Sequence, residues 1–243
     1  MTFCLGIKLK DGLVGLADTR ITSGTEVFLA KKVSNFQRNG HPMFLMTSGL
    51  RSVRDKALTY FEEELGTGPG FDRLYKAANA FGAQLRKVAE EDGAALTAAG
   101  LHFNLHALIG GKLSADSESR LYLVYPQGNW VEINEARPYH IIGESGYGRP
   151  VLDRSLKHTD SIPFAFKVGC LAFDSTRISA ADVDFPLDVV IVRDGEDRVW
   201  EGRLQREDLA SLSQWWSDRI RQGVSEIPQD WVDALVAKVA PPA

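Results

Sequence analysis

The chain has 243 residues, 28 Lys+Arg against 32 Asp+Glu, 44% hydrophobic and 25% charged residues, a balance that excludes intrinsic disorder and suits one large folded domain. A formal net charge of -4 supplies no basic stripe for phosphates or anionic lipid, so neither nucleic acid nor a membrane is expected as a partner. Two cysteines, Cys4 and Cys170, form neither a disulfide framework nor a Cys-x-x-Cys metal pair; a reducing, cytoplasmic setting without metal or cofactor is expected.

Apolar residues fall at Phe3, Leu5, Ile7 and Leu9, a period of two that predicts a strand, and Asp11-Gly12 then supplies hairpin chemistry. A second strand over 13–17 follows, so the chain is expected to begin inside a sheet, with neither a signal nor a transit peptide. Residues 31–36 and 43–48 read as another strand pair around Asn39-Gly40, making the first 49 residues all β. The period then changes. Val53, Ala57, Phe61 and Leu65, and later Phe71 through Leu85 and Val88, recur at three and four residues, predicting two amphipathic helices split by the glycine-rich stretch 66–70. Strands are expected again over 101–109, 121–125, 130–133 and 139–142, helices over 151–156 and 161–173, and strands over 187–192 and 199–204. The last helices are expected at 207–221 and 230–238.

This order, four strands, two helices, four strands, two helices and two strands, predicts an α+β fold: a four-layer αββα sandwich of two antiparallel sheets flanked by helices. Strands and helices do not alternate singly, which argues against a parallel doubly wound sheet. No repeat, low-complexity run or linker marks a boundary, so a single domain over 1–243 is expected, with a helical extension from about 205.

Chemistry concentrates at the start. Removal of Met1 before the small Thr2 would leave a hydroxyl and a free α-amine on one residue, a nucleophile beside its own base. The amine's ordinary pKa of about 7.7–8.0 puts a neutral, proton-accepting fraction at working pH. Asp18 closes the second predicted strand, Lys32 opens the third and Gly49 ends the fourth, so polar residues gather at strand ends near Thr2. An ammonium at Lys32 would favour the Thr2 alkoxide, Asp18 would orient that lysine, and a Gly49 N–H would hold a developing oxyanion.

Thr2, Gly12, the run Ala17-Asp18-Thr19-Arg20-Ile21-Thr22 with Gly24, Lys31-Lys32-Val33 and Thr47-Ser48-Gly49 before a helix together resemble the β-type subunits of the proteasome, which are N-terminal nucleophile (Ntn) hydrolases. Phe173-Asp174-Ser175-Thr176, Phe185-Pro186-Leu187-Asp188 and the helical carboxyl end look most like the bacterial Anbu branch of that family. The resemblance implies the αββα Ntn-hydrolase fold. It implies Thr2 as nucleophile and base, Asp18 and Lys32 as the groups that tune it, and Gly49 as oxyanion donor. Lys32 is preferred to Lys31 because it directly precedes the apolar Val33. Ser145 and Asp174 match the serine and aspartate that support the terminal amine; the family's further serine, three residues past that aspartate, is Arg177 here, with Ser175 and Ser179 as nearby substitutes. Thr22 matches a position that pairs with the substrate backbone, and Ile21, Thr47 and Arg51 fall where the specificity pocket belongs. Arg51, if turned inward, would favour an acidic or polar P1 side chain.

The activity implied is threonine-type hydrolysis of peptide or amide bonds by a homo-oligomer, in rings or an open helical turn, with any ATP-dependent partner on a separate chain. The rival class is a silent assembly or peptide-binding protein, favoured by Arg177; a third reading is an amidase of narrow specificity. Other motifs carry less. Gly143-Glu-Ser-Gly-Tyr-Gly148 has Tyr147 where a nucleophile elbow needs glycine. His102 and His106, on a predicted strand, stand too far apart to share a metal. The glycine-rich stretch 66–70 follows a helix rather than a strand and reads as a turn. Cys4 reads as a buried packing group, and Trp215-Trp216 as a surface for packing within the chain or against a neighbouring subunit.

Overall fold

The computed structural model describes residues 2–23, 26–37, 42–68 and 70–240. Met1, Gly24 and the Asn39-Gly40 turn lie outside the described residues. Two compact units are present, Met1–Arg206 and Glu207–Ala243.

Strand β1 (Phe3–Leu9) forms a hairpin with β2 (Gly12–Asp18), pairing Cys4 with Ala17 and Leu9 with Gly12. Sequence alternation suggested one buried face, yet every residue of both strands is buried. The reason is layering, since these strands lie at the centre of the sheet β10-β1-β2-β11-β12 and both of its faces are covered. The other strands of that sheet are β10 (Tyr139–Gly143) and β12 (Val199–Leu204) at its edges and β11 (Leu187–Arg193) between β2 and β12. A second antiparallel sheet runs β5-β6-β7-β8-β9, from β5 (Val33–Asn35), β6 (Met43–Gly49), β7 (Leu105–Gly111), β8 (Arg120–Val124) and β9 (Trp130–Glu132).

Between the sheets Cys4, Leu13 and Ala17 pack with Phe44, Met46 and Leu121. Outside the second sheet lie α1 (Arg51–Thr67) and α2 (Leu74–Ala98), whose Phe61 and Phe81 meet edge to face with ring centroids 5.6 Å apart over Ala107, Ile109 and Tyr122. Outside the first sheet, α4 (Ile162–Ser179), preceded by α3 (Arg149–Ser155), sets Phe173 against Phe3 at 5.8 Å and Gly169 against Leu16. The order helix, sheet, sheet, helix is the expected αββα sandwich.

Several local expectations change. A third, two-stranded sheet of β3 (Arg20–Ser23) and β4 (Glu26–Leu29) leaves the main sheet after Thr19. Its strands are short and β4 is largely exposed, so no burial period betrays them. The second helix runs ten residues past Val88, on a face too polar to read as core. Strand β7 starts at Leu105 instead of 101, which leaves His102 before the strand and only His106 on it. The second unit holds α5 (Ala210–Ser225) and α6 (Asp230–Val239). Trp215, Ile220 and Val224 on α5, and Trp231, Val236 and Val239 on α6, are exposed. Among the described residues no helix is long and apolar enough to cross a membrane.

Candidate active site

Thr2 stands just before β1, and its neighbour fixes it. The Phe3 N–H donates to Asp18 Oδ1 at 2.8 Å, across the β1–β2 hairpin. The Thr2 carbonyl accepts from the Glu144 N–H at 2.6 Å, just past β10. That second contact requires Gly143, whose φ is +91° and whose missing Cβ would lie 2.0 Å from the Thr2 carbonyl oxygen. Glycine at 143 is therefore a steric demand of seating Thr2, a role the sequence reading did not give it.

Beside Thr2 lies a buried ion pair. Lys32 Nζ donates to Asp18 Oδ1 at 2.6 Å and to the Arg20 carbonyl at 2.7 Å, and Asp18 is wholly buried. Burial pushes the Asp18 carboxyl up from its ordinary value, while the Lys32 ammonium and the N–H groups of Phe3 and Arg20 pull it back. The lysine is aimed by the chain on both sides, because the Lys32 carbonyl accepts from Thr47 N–H at 3.2 Å while its ammonium caps the start of β3.

Thr2, Lys32, Thr47 and Gly49 line one cleft of about 360 Å³. Ile21, Thr22 and Arg51 form further parts of its wall, so seven of the residues singled out from sequence converge there, with Asp18 behind Lys32. Gly49, at φ +142°, would set a Cβ 2.1 Å from the Asn104 carbonyl, so only glycine fits there. Arg54 and Asn104 also line the cleft and were missed. Arg54 was legible, lying three residues after Arg51 on a helix and hence on the same face; Asn104 precedes β7 and nothing local marks it. Asp182 is a further omission: a hydrogen bond from Thr22 is the main reason its carboxyl is held below the ordinary range.

The remaining two site residues behave differently. The Ser145 carbonyl accepts from Arg149 N–H at 3.2 Å, and Asp174 is buried on α4 with Arg177 Nη2 2.6 Å from its Oδ1. Among the described residues, no hydrogen bond joins either side chain to Thr2. Arg177 thus occupies Asp174, and among the described residues no hydrogen bond joins Ser175 or Ser179 to it. Cys4 is buried with Sγ 3.7 Å from the Thr47 carbonyl, its thiol pushed far up by burial, which suits packing rather than reactivity. Among the described residues no group of three or more His, Cys, Asp or Glu could hold a metal ion.

No protein-family model matches the chain, and no curated protein does either. Solved structures do match. The Anbu (Gly-1) mutant from Hyphomicrobium sp. strain MC1 aligns with a TM-score of 0.85 at 30% identity, over 93% of this chain and 99% of that one. The chain belongs to the Anbu family. Two further Anbu structures share the fold at 24% identity, each over 93% of this chain and 97% of the other. One is the Anbu (ancestral beta-subunit) from Yersinia bercovieri, at TM-score 0.82. The other is the helical assembly of the Anbu complex from Pseudomonas aeruginosa, at 0.84. The proteasome-like fold of Anbu accounts for the αββα layers.

Proposed function

We propose that this Anbu-family chain is a threonine-type N-terminal nucleophile hydrolase of peptide or amide bonds, active through Thr2 once Met1 is removed, and working as a homo-oligomer. The observation that carries the reading is the buried Lys32–Asp18 pair, whose carboxylate also fixes Phe3, the residue bonded to the nucleophile. Burying a charged pair costs several kcal/mol of desolvation, a cost that packing alone gives no reason to bear at the floor of an open cleft.

In the mechanism that follows, the neutral Thr2 amine takes the hydroxyl proton as Oγ1 attacks the substrate carbonyl. The adjacent Lys32 ammonium favours the alkoxide. The tetrahedral oxyanion forms against the Gly49 N–H; its collapse breaks the C–N bond, and the departing amine takes the proton from the Thr2 ammonium. Water, deprotonated by the same amine, then hydrolyses the acyl ester and returns free Thr2. Ile21, Thr22, Thr47 and Arg51 hold the substrate. Self-association is supported by the helical assembly of the Pseudomonas aeruginosa relative and by the exposed tryptophans and valines of α5 and α6. The two free, buried cysteines support a cytoplasmic location.

Intact mass of the purified protein, before and after an epoxyketone, tests this. The warhead needs both the Thr2 hydroxyl and a free α-amine to close its morpholine ring. Loss of Met1 and one adduct per chain are expected; retained Met1 without an adduct would overturn the reading. A catalytically silent assembly or peptide-binding protein is the second reading, favoured by one observation: Arg177 claims the aspartate that would otherwise support the amine.

A further inference from the structure

The charged side chains that line the cleft beside Thr2 are all of one sign. Three of its lining residues, Lys32, Arg51 and Arg54, are cationic, and none is Asp or Glu. Two carboxylates stand behind them: Asp18 on Lys32, and Asp55, shared by both arginines. Asp182, which accepts from Thr22 of the cleft wall, is a third carboxylate, so the charges balance in number; the cations line the cleft, whereas the carboxylates stand outside its lining.

The two arginines differ in what they have left to give. Arg54 is largely buried and committed: Nε and Nη2 donate to Asp55 Oδ1 at 2.8 and 2.6 Å, and Nη1 donates to the Lys31 carbonyl at 3.2 Å. It fixes Asp55 and ties α1 to the segment carrying Lys32. Arg51 is the first residue of α1, two past Gly49. Among the described residues its only hydrogen bond runs from Nε to Asp55 Oδ2 at 3.3 Å. Its guanidinium is steadied from the other side by the Phe28 ring, 5.3 Å from the centroid; Phe28 pairs with Ile21, a residue of the cleft wall. Arg51 is therefore held across the cleft between α1 and the β3–β4 hairpin, with its Nη hydrogens still to be placed. The first turn of α1 adds the same sign, because it carries no acidic residue and its cap gives no side-chain hydrogen bond.

We infer that Arg51, backed by Arg54, selects substrates with an acidic residue on the acyl side of the scissile bond, a P1 glutamate or aspartate whose carboxylate accepts from the free Nη groups. The inference rests on the Thr2 reading above. It assigns to Arg54 and Phe28 a positioning role: one sets the counter-ion and the other holds the guanidinium plane.

The test uses a matched pair of tripeptide epoxyketones differing only at P1, glutamate against leucine, with adduct formation followed by intact mass. The glutamate probe is expected to label Thr2 faster by on the order of tenfold, the worth of one hydrogen bond to a charged group. Added salt should shrink that ratio, and Arg51→Gln, a change at an exposed helix start, should bring it to near one. Labelling by both probes with no preference, or with leucine ahead, would overturn the acidic selectivity and leave the nucleophile standing. A preference for glutamate that survives Arg51→Gln would overturn the role of Arg51. Labelling by neither would instead sink the Thr2 reading and this inference with it.

Discussion

Two ion pairs of the first unit have the same length and different construction. Lys32–Asp18 and Arg177–Asp174 each close at 2.6 Å, and both carboxylates are buried. Asp18 sits at a strand end, where Phe3 and Arg20 offer backbone N–H groups at 2.8 and 3.2 Å, so it is held from three directions by separate parts of the chain. Asp174 is paired three residues along one helix, and among the described residues neither of its oxygens receives a hydrogen bond of acceptable geometry. Length is thus a poor guide to what a buried pair can do. The first is a junction that couples Lys32 to the residue beside Thr2; the second neutralises a charge within α4. A junction is felt when the chemistry is measured, and a local neutraliser is felt in stability.

Three variants bear on that difference, beginning with the largest effect. Thr2→Ala should abolish the epoxyketone adduct entirely while leaving the circular dichroism unchanged; an adduct that persists would move the nucleophile elsewhere. Lys32→Met should slow adduct formation on the order of a thousand-fold, within the span expected for losing a positioned charge in proton transfer. Its stability cost in urea should be smaller, about 2 kcal/mol, because two backbone donors still hold Asp18. Arg177→Ala should do the reverse, costing about 3 kcal/mol by stranding Asp174 and changing the labelling rate less than tenfold. If Lys32→Met proves the more damaging to stability and Arg177→Ala to labelling, the assignment of junction and neutraliser must be exchanged.

The smallest effect concerns a half-buried group whose charged neighbours are all cations. Burial, then Arg137, Arg149 and His106, push His140 on β10 down to about 4 from 6.5. The folded state therefore takes up its proton only near pH 4, whereas the unfolded chain does so near 6.5. Stability from this group is fully present above pH 6.5 and is lost as pH falls toward 4. Because the ring is partly open to solvent, the loss is expected to be about 1–2 kcal/mol. Urea midpoints of the wild type and His140→Asn should converge on acidification, and parallel curves across that window would show that the imidazole is freely solvated.

Much of this was legible in the residues themselves. Alternation at Phe3 to Leu9 and the three-four spacing from Val53 to Leu65 specify strand and helix by period alone, so most of the larger elements lie where those periods place them. The β3–β4 hairpin left no such trace, since Val27 and Leu29 are exposed and nothing selects their alternation. Thr2, Asp18, Lys32 and Gly49 stood out because each residue type has a chemical reason to sit at a strand end. What lay beyond the sequence was convergence: that Glu144 would reach the Thr2 carbonyl, that Asn104 would force glycine at 49, and that Arg177 would close on Asp174. Local pattern records which side of a segment is buried and which backbone turns are affordable, and these the sequence determined by itself. Which distant atoms meet depends on the stacking of two sheets and the exit of a hairpin from one of them, distances fixed by packing of the whole unit, and only the tertiary structure decides those.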